Sequence, residues 1–214
     1  MALTKILEGG IADDAVGNTK LDLSENYAFT GTVSGAGDPA FVFLGESKNS
    51  SAANNGTVDN IFSDTYHLYF FQADVLVATN GTHLMAQLVN SGTATTANYY
   101  YSFQGLDQGG NSESGDSSGA ASAWSLSGAN SNSRPCQVIG YISGTTSGES
   151  NHKKVSWQCA TFDSSNNQKH VTGGGFQTSS TDHTGFKILA GSGDLTQHSI
   201  QIYGVSDTEK FGGF

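Results

Sequence analysis

Ionisable side chains are scarce in this 214-residue chain: Asp, Glu, Lys and Arg supply 13% of it, about half of the roughly 25% usual in soluble domains. Long surface helices draw on Glu, Lys, Arg and Ala for propensity and for i,i+4 pairing, so this scarcity argues against a helical surface. Basic residues are scarcer still. Nine Lys and Arg against nineteen Asp and Glu, a net charge of −10, cannot form the cationic stripe that phosphate binding and counterion release require, so neither nucleic acid nor an anionic membrane is expected as a partner. No apolar run approaches the roughly 20 residues needed to span a bilayer. The opening residues Met1 to Gly10 lack the continuous apolar segment of a secretory signal, and the expectation is a chain made and assembled in a cytoplasm. Cysteine is limited to two residues, too few for a disulfide scaffold. Cys136 and Cys159 each lie in an apolar, strand-like stretch. They read as buried, reduced thiols, with a bridge across neighbouring strands as the alternative; a metal role would need more ligands nearby.

What the chain has instead is glycine, at 28 positions, with Ser, Thr and Asn filling much of the rest. Strand signals recur at short intervals: Phe41 to Leu44, Tyr66 to Val77, Leu84 to Val89, Tyr99 to Phe103, Ala123 to Leu126, Cys136 to Ile142, Val155 to Phe162, His170 to Phe176, Phe186 to Ala190 and Ile200 to Val205. Several alternate with period two, so that Cys136, Val138, Gly140 and Ile142 oppose Gln137, Ile139 and Tyr141, and Val155, Trp157 and Cys159 form an inward set. Asn80-Gly81, Gly109-Gly110-Asn111, Ser147-Gly148 and Ser192-Gly193-Asp194 carry the residues that tolerate positive φ in tight turns. Short strands, polar turns and no intervening helices predict an all-β fold, an antiparallel β-sandwich of jelly-roll type. Gln108 to Ala121 has no apolar period and reads as a long surface loop, a candidate contact region alongside Ser131 to Pro135 and Thr145 to Lys154.

The N-terminal segment differs. Leu3, Ile6, Leu7, Ile11, Val16, Leu21 and Leu23 form a sparse apolar series broken by Gly9, Gly10, Gly17 and the pair Asp13-Asp14, too interrupted for a stable lone helix. These seven residues are the candidate partner-docking set of an extended arm over residues 1–30, ordered by packing on a partner or symmetry mate; a first strand or short helix tucked onto its own domain is the alternative. Residues 31–39, small and ending at Pro39, read as a flexible joint, and residues 40–214 as the sandwich domain.

Catalytic patterns do not survive scrutiny. Gly115-Asp116-Ser117-Ser118-Gly119 satisfies G-x-S-x-G, but the nucleophile elbow needs a strand turning sharply into a helix, and no helix signal follows. His67, His83, His152, His170, His183 and His198 show neither H-x-x-x-H nor H-E-x-x-H spacing and read as surface or strand residues, not ligands. Asp13-Asp14 lies in the arm, and Asp59 and Asp64, read as flanking a short strand, stand in no acid/base frame. Gly173-Gly174-Gly175 and Gly212-Gly213 lack the P-loop pattern. Asn49, Asn55 and Asn80 head N-x-[ST] sequons that would matter only in a secreted eukaryotic protein. Neither an enzyme nor a cofactor is expected. Aromatic runs stand out: Tyr66 to Phe71 and Tyr99-Tyr100-Tyr101 put rings on both faces of their strands, and outward rings meet a neighbouring copy, a second sheet or a sugar.

Two segments resemble virion structural proteins of tailed bacteriophages, especially those of marine hosts. The opening Leu3-Thr4-Lys5-Ile6-Leu7-Glu8-Gly9-Gly10-Ile11-Ala12-Asp13-Asp14-Ala15-Val16-Gly17-Asn18-Thr19-Lys20-Leu21 is similar to phrases near the N-termini of phage fibre proteins. Gly185 to Gly193 and Ser199 to Val205 resemble the last two strands of their β-domains. The resemblance implies a virion protein assembled in a bacterial host, its arm fastened to other tail or capsid proteins and its β-domain trimerised and displayed towards host surface glycans. The absence of a repetitive shaft implies a short tail fibre or adhesin. The alternative is a capsid decoration protein that stabilises the shell.

Overall fold

The computed structural model describes residues 40–145 and 152–206. The arm, its seven docking residues, the joint, Ser147-Gly148 and Gly212-Gly213 lie outside the described residues. Thirteen strands make up the described part, in order β1 (Phe41–Asn49), β2 (Asn55–Val58), β3 (Leu68–Val77), β4 (Leu84–Asn90), β5 (Thr93–Ala94), β6 (Tyr99–Asp107), β7 (Ser112–Ala121), β8 (Trp124–Ser125), β9 (Cys136–Ser143), β10 (Lys153–Phe162), β11 (Gln168–Gln177), β12 (Gly185–Ala190) and β13 (Leu195–Val205). No helix occurs among the described residues.

The strands form two antiparallel sheets. One has eight strands in the order β1-β13-β3-β9-β10-β11-β6-β7, and the other has five, β2-β12-β4-β5 with β8 beside β4. The chain alternates between them: β1, β3, β9 and β13 lie in the large sheet while β2, β4 and β12 lie in the small one. The quartets β1-β13-β3-β9 and β2-β12-β4-β5 are the two halves of a jelly roll. Two hairpins, β6–β7 and β10–β11, extend the first quartet sideways and make it twice as wide.

The alternation seen in the sequence sets the core. Tyr69, Phe71, Ala73, Val75 and Val77 of β3 pack inward with Val138 and Ile142 of β9 and Ile200 and Ile202 of β13, against Leu84, Ala86 and Leu88 of β4 and Phe186 and Ile188 of β12. The Val, Leu, Ile and Phe side chains among these release about 1.5–3 kcal/mol each on full burial. Tyr99 and the two tryptophans need polar partners as well as space. The Tyr99 hydroxyl accepts from the Leu88 amide at 2.8 Å and donates to the Thr95 carbonyl at 3.1 Å. Trp124 Nε1 donates to the Phe176 carbonyl at 3.1 Å and Trp157 Nε1 to that of Leu126 at 2.8 Å. These bonds fasten the 122–135 connection over the inner face of the added hairpins. Gly173-Gly174-Gly175 lies within β11 as a packing notch: a Cβ on Gly173 would stand 2.4 Å from the Trp157 ring, and one on Gly175 2.9 Å from that of Trp124.

Two sequence expectations are corrected. Gln108 to Ala121 is not a long surface loop: residues 108–111 form a tight turn, with Gly110 at φ 79°, and Ser112–Ala121 is edge strand β7, paired with β6. Its hydroxyls and glycines leave no alternation to detect, because an edge strand needs only main-chain pairing with its neighbour. Asp59 and Asp64 flank no strand either; Asn60 to Ser63 is irregular, with Asn60 at φ 58°. Short β2 and β5 were also invisible to pattern, being four and two residues long.

Candidate binding face

Pairing register carries outward residues of successive strands into rows across the large sheet. One row runs Phe43, Tyr203, Phe70, Tyr141, Ser156, Gly174 and Ser102, from β1 through β13, β3, β9, β10 and β11 to β6. Its first four members are rings in contact. Phe43 and Tyr203 meet edge to face at 5.6 Å, Tyr203 and Phe70 lie 6.0 Å apart, and Phe70 and Tyr141 5.4 Å; Phe41 joins Phe70 at 5.5 Å. Such pairs contribute about 0.5–1.5 kcal/mol each beyond their burial. The ridge nonetheless remains in solvent, with Phe43 52% exposed, Phe41 47% and Tyr141 41%.

The adjacent row carries four glutamine amides among its seven residues: Glu46, Gln201, Gln72, Ile139, Gln158, Thr172 and Gln104. Gln72 Nε2 donates to Gln201 Oε1, which also accepts from the Tyr203 hydroxyl at 3.4 Å. Lys48 pairs with Glu46 at 2.5 Å. Hydrogen bonds from Lys48 and then Gln201 hold the Glu46 carboxyl below its usual range, though a pair this exposed contributes little to stability. Beyond the ridge the first row steps down to Ser156, Gly174 and Ser102; a second apolar group, Phe176 and Tyr100, neighbours across β11 and β6, lies in the next row over, in register with Lys154 of β10 and Ser143 of β9. The step leaves a shallow depression of about 250 Å³ lined by Phe70, Ile139, Tyr141, Ser156, Gln158 and Thr172. Its lining offers rings, hydroxyls and an amide, with no carboxylate or ammonium. Rings stack on apolar faces and amides pair with hydroxyls, so this surface is chemically suited to an uncharged polyhydroxylated ligand or to another protein face.

The residues singled out in sequence fall elsewhere. His67, His83, His152 and His170 are exposed, whereas His183 and His198 are buried. His183 Nε2 lies 3.0 Å from Thr95 Oγ1 and its Nδ1 has no hydrogen-bond partner. Burial first, and then the nearby charge of Lys153, hold its pKa down to about 4, with Asp182 opposing. Lys153 is itself buried; its ammonium donates to the Ser179 carbonyl at 2.6 Å, and burial lowers its pKa. His198 Nε2 lies 3.0 Å from Ser47 Oγ, and burial lowers its pKa too. Gly115 to Ser118 lie in β7, opposite Phe103 to Tyr100, in extended backbone and not at an elbow. Asp59 accepts from Thr184 Oγ1 at 2.5 Å and from the Asn60 amide, which makes it a turn residue. Among the described residues no three His, Cys, Asp or Glu side chains converge on a metal position.

No local pattern in the sequence marks the exposed face as a unit. Tyr141 and Ile139 stood in the outward set of β9, and Phe70 in an aromatic run. Phe41, Phe43 and Tyr203 join them only through the pairing of β1, β13 and β3, strands far apart in the chain. No family model, curated protein or solved structure matches the chain.

Proposed function

We propose that the chain is a non-enzymatic virion structural protein of a tailed bacteriophage, a short tail fibre or adhesin. It fastens to the particle by its N-terminal arm and displays the sandwich for host-surface contact. The observation that supports this reading best is the ring-and-amide face of the eight-stranded sheet. A contiguous exposed aromatic ridge is rare on a protein that acts alone and marks a surface that meets something. Jelly rolls also serve as capsid and lectin domains, a fold-level analogy that accords with assembly and with glycan contact. The two inserted hairpins widen this sheet from the four strands a jelly roll needs to eight, and they add outward surface. In this reading host contact runs through the sheet face in addition to the loops.

The test is multi-angle light scattering on the intact protein at micromolar concentration, together with particle incorporation of a chain lacking residues 1–30. A homotrimer and loss of incorporation are expected. A monomer that still incorporates without its arm would overturn the proposal. Copy number separates the fibre, present in tens per particle, from a decoration protein, present in hundreds.

A further inference from the structure

Cys136 opens β9 and Cys159 lies in β10, its antiparallel neighbour. Both face the core, at 1% and 0% exposure. The register sets Cys159 opposite Val138, so Cys136 lies diagonal to it on the same face. Their sulfurs are 3.0 Å apart, inside ordinary van der Waals contact for two thiols and about 1 Å longer than a disulfide bond. Cys136 lies just beyond the last register pair with β10, Gln137 with Ala160. It also follows Pro135 at the end of a connection, and on its other side it pairs with Val75 of β3.

We propose that Cys136 and Cys159 are a covalent modification site, two thiols held ready to close into an intramolecular disulfide across β9 and β10. In reaction with a low-molecular-weight disulfide, one cysteine thiolate attacks a reagent sulfur and expels the first reagent thiolate. The second cysteine then attacks the sulfur of the bound cysteine and expels the other. The chain loses two electrons and two protons to the reagent, which leaves as two thiols. Because the cysteines are 23 positions apart, the bond closes a loop whose lost freedom in the unfolded chain favours the folded state. This inference is independent of the proposed function, since it concerns the core and not the outer face.

The experiment refolds the reduced full-length protein in a mixture of glutathione and glutathione disulfide, and also incubates the folded protein in it. Both samples are then alkylated under denaturing conditions and weighed by intact mass. Loss of two hydrogens with no alkylated cysteine, and a thermal midpoint higher than that of the reduced protein by about 5–10 °C, is expected. Cys136→Ala should instead yield a glutathione adduct or a free thiol and no rise in midpoint. Two alkylated thiols after refolding to the native state, or bridges found only between chains, would overturn the proposal.

Discussion

At the scale of single residues, burial decides which titrations matter. His183 is buried with its pKa held down to about 4, from an unfolded value of 6.5. A base whose pKa falls on folding binds its proton more readily in the unfolded chain, so its neutral form supports the fold above pH 6.5 and that support is lost as pH falls towards 4. At about 1.4 kcal/mol per unit this amounts to about 3 kcal/mol. His198, lowered by burial, acts in the same direction. The carboxylates of Asp107 and Asp163, held low by hydrogen bonds, and that of Asp59, where burial is outweighed by the sum of its hydrogen bonds, add their losses only below the ordinary carboxylate range. The thermal midpoint should therefore fall between pH 7.5 and 4.5, and His183→Asn should flatten that fall; a pH-independent midpoint would contradict the assignment. The glycine notch gives a second contrast. Gly173→Ala forces a Cβ against Trp157, with contacts at 2.4 and 2.7 Å, whereas a Cβ on Gly174 meets only the Val155 carbonyl, at 3.3 Å. Overpacking of this kind costs roughly 1–3 kcal/mol. Urea unfolding should resolve that loss for Gly173→Ala and a much smaller one for Gly174→Ala. On the outer face the order reverses. Tyr141→Ala and Phe43→Ala remove rings already half in solvent, each with one edge or tilted ring contact, and should lower the midpoint by only a few degrees; under the proposed adhesin role they should lower particle adsorption to host cells at least tenfold.

At the scale of elements, two turns share one construction. Asp107 Oδ1 accepts from the amides of Gly109 and Asn111, each at 2.8 Å, and its Oδ2 from Asn111 Nδ2 at 2.9 Å. Asp163 repeats this with Ser165, Asn167 and Asn167 Nδ2 at the same distances. The turns close the two hairpins that widen the large sheet, and they touch, since the Gln108 amide donates to the Gln168 carbonyl at 2.8 Å. Asp107→Ala should therefore speed amide exchange along β7, an edge strand with no side-chain pattern of its own, while leaving β3 and β13 protected. Equal acceleration in all strands would show that the turn is not a local clamp. This scale also shows what was legible in the sequence. The ten strands with an alternating or aromatic signal are legible, because one buried face imposes period two on segments such as Cys136 to Ile142 and Val155 to Thr161. Strand β7 was hidden, since Ser112 to Ala121 obeys only main-chain pairing. The ridge was hidden for another reason: Phe43, Tyr203, Phe70 and Tyr141 become neighbours through pairings that span most of the chain, and no local pattern encodes them.

At the scale of the whole molecule, a jelly roll needs only four strands per sheet, and this chain spends two further hairpins on one of them. Their inner side is closed by Trp124, Leu126 and the 122–135 connection, and their outer side continues the row that begins with the aromatic ridge. In the proposed role the wide face is the one turned to a neighbour copy or a host surface. The most direct test is quantitative mass spectrometry of purified phage particles from a host that produces this chain, with the major capsid protein as internal standard. The expected result is the intact chain at tens of copies per particle. Its absence from purified particles, with the protein abundant in the lysate, would contradict a virion role.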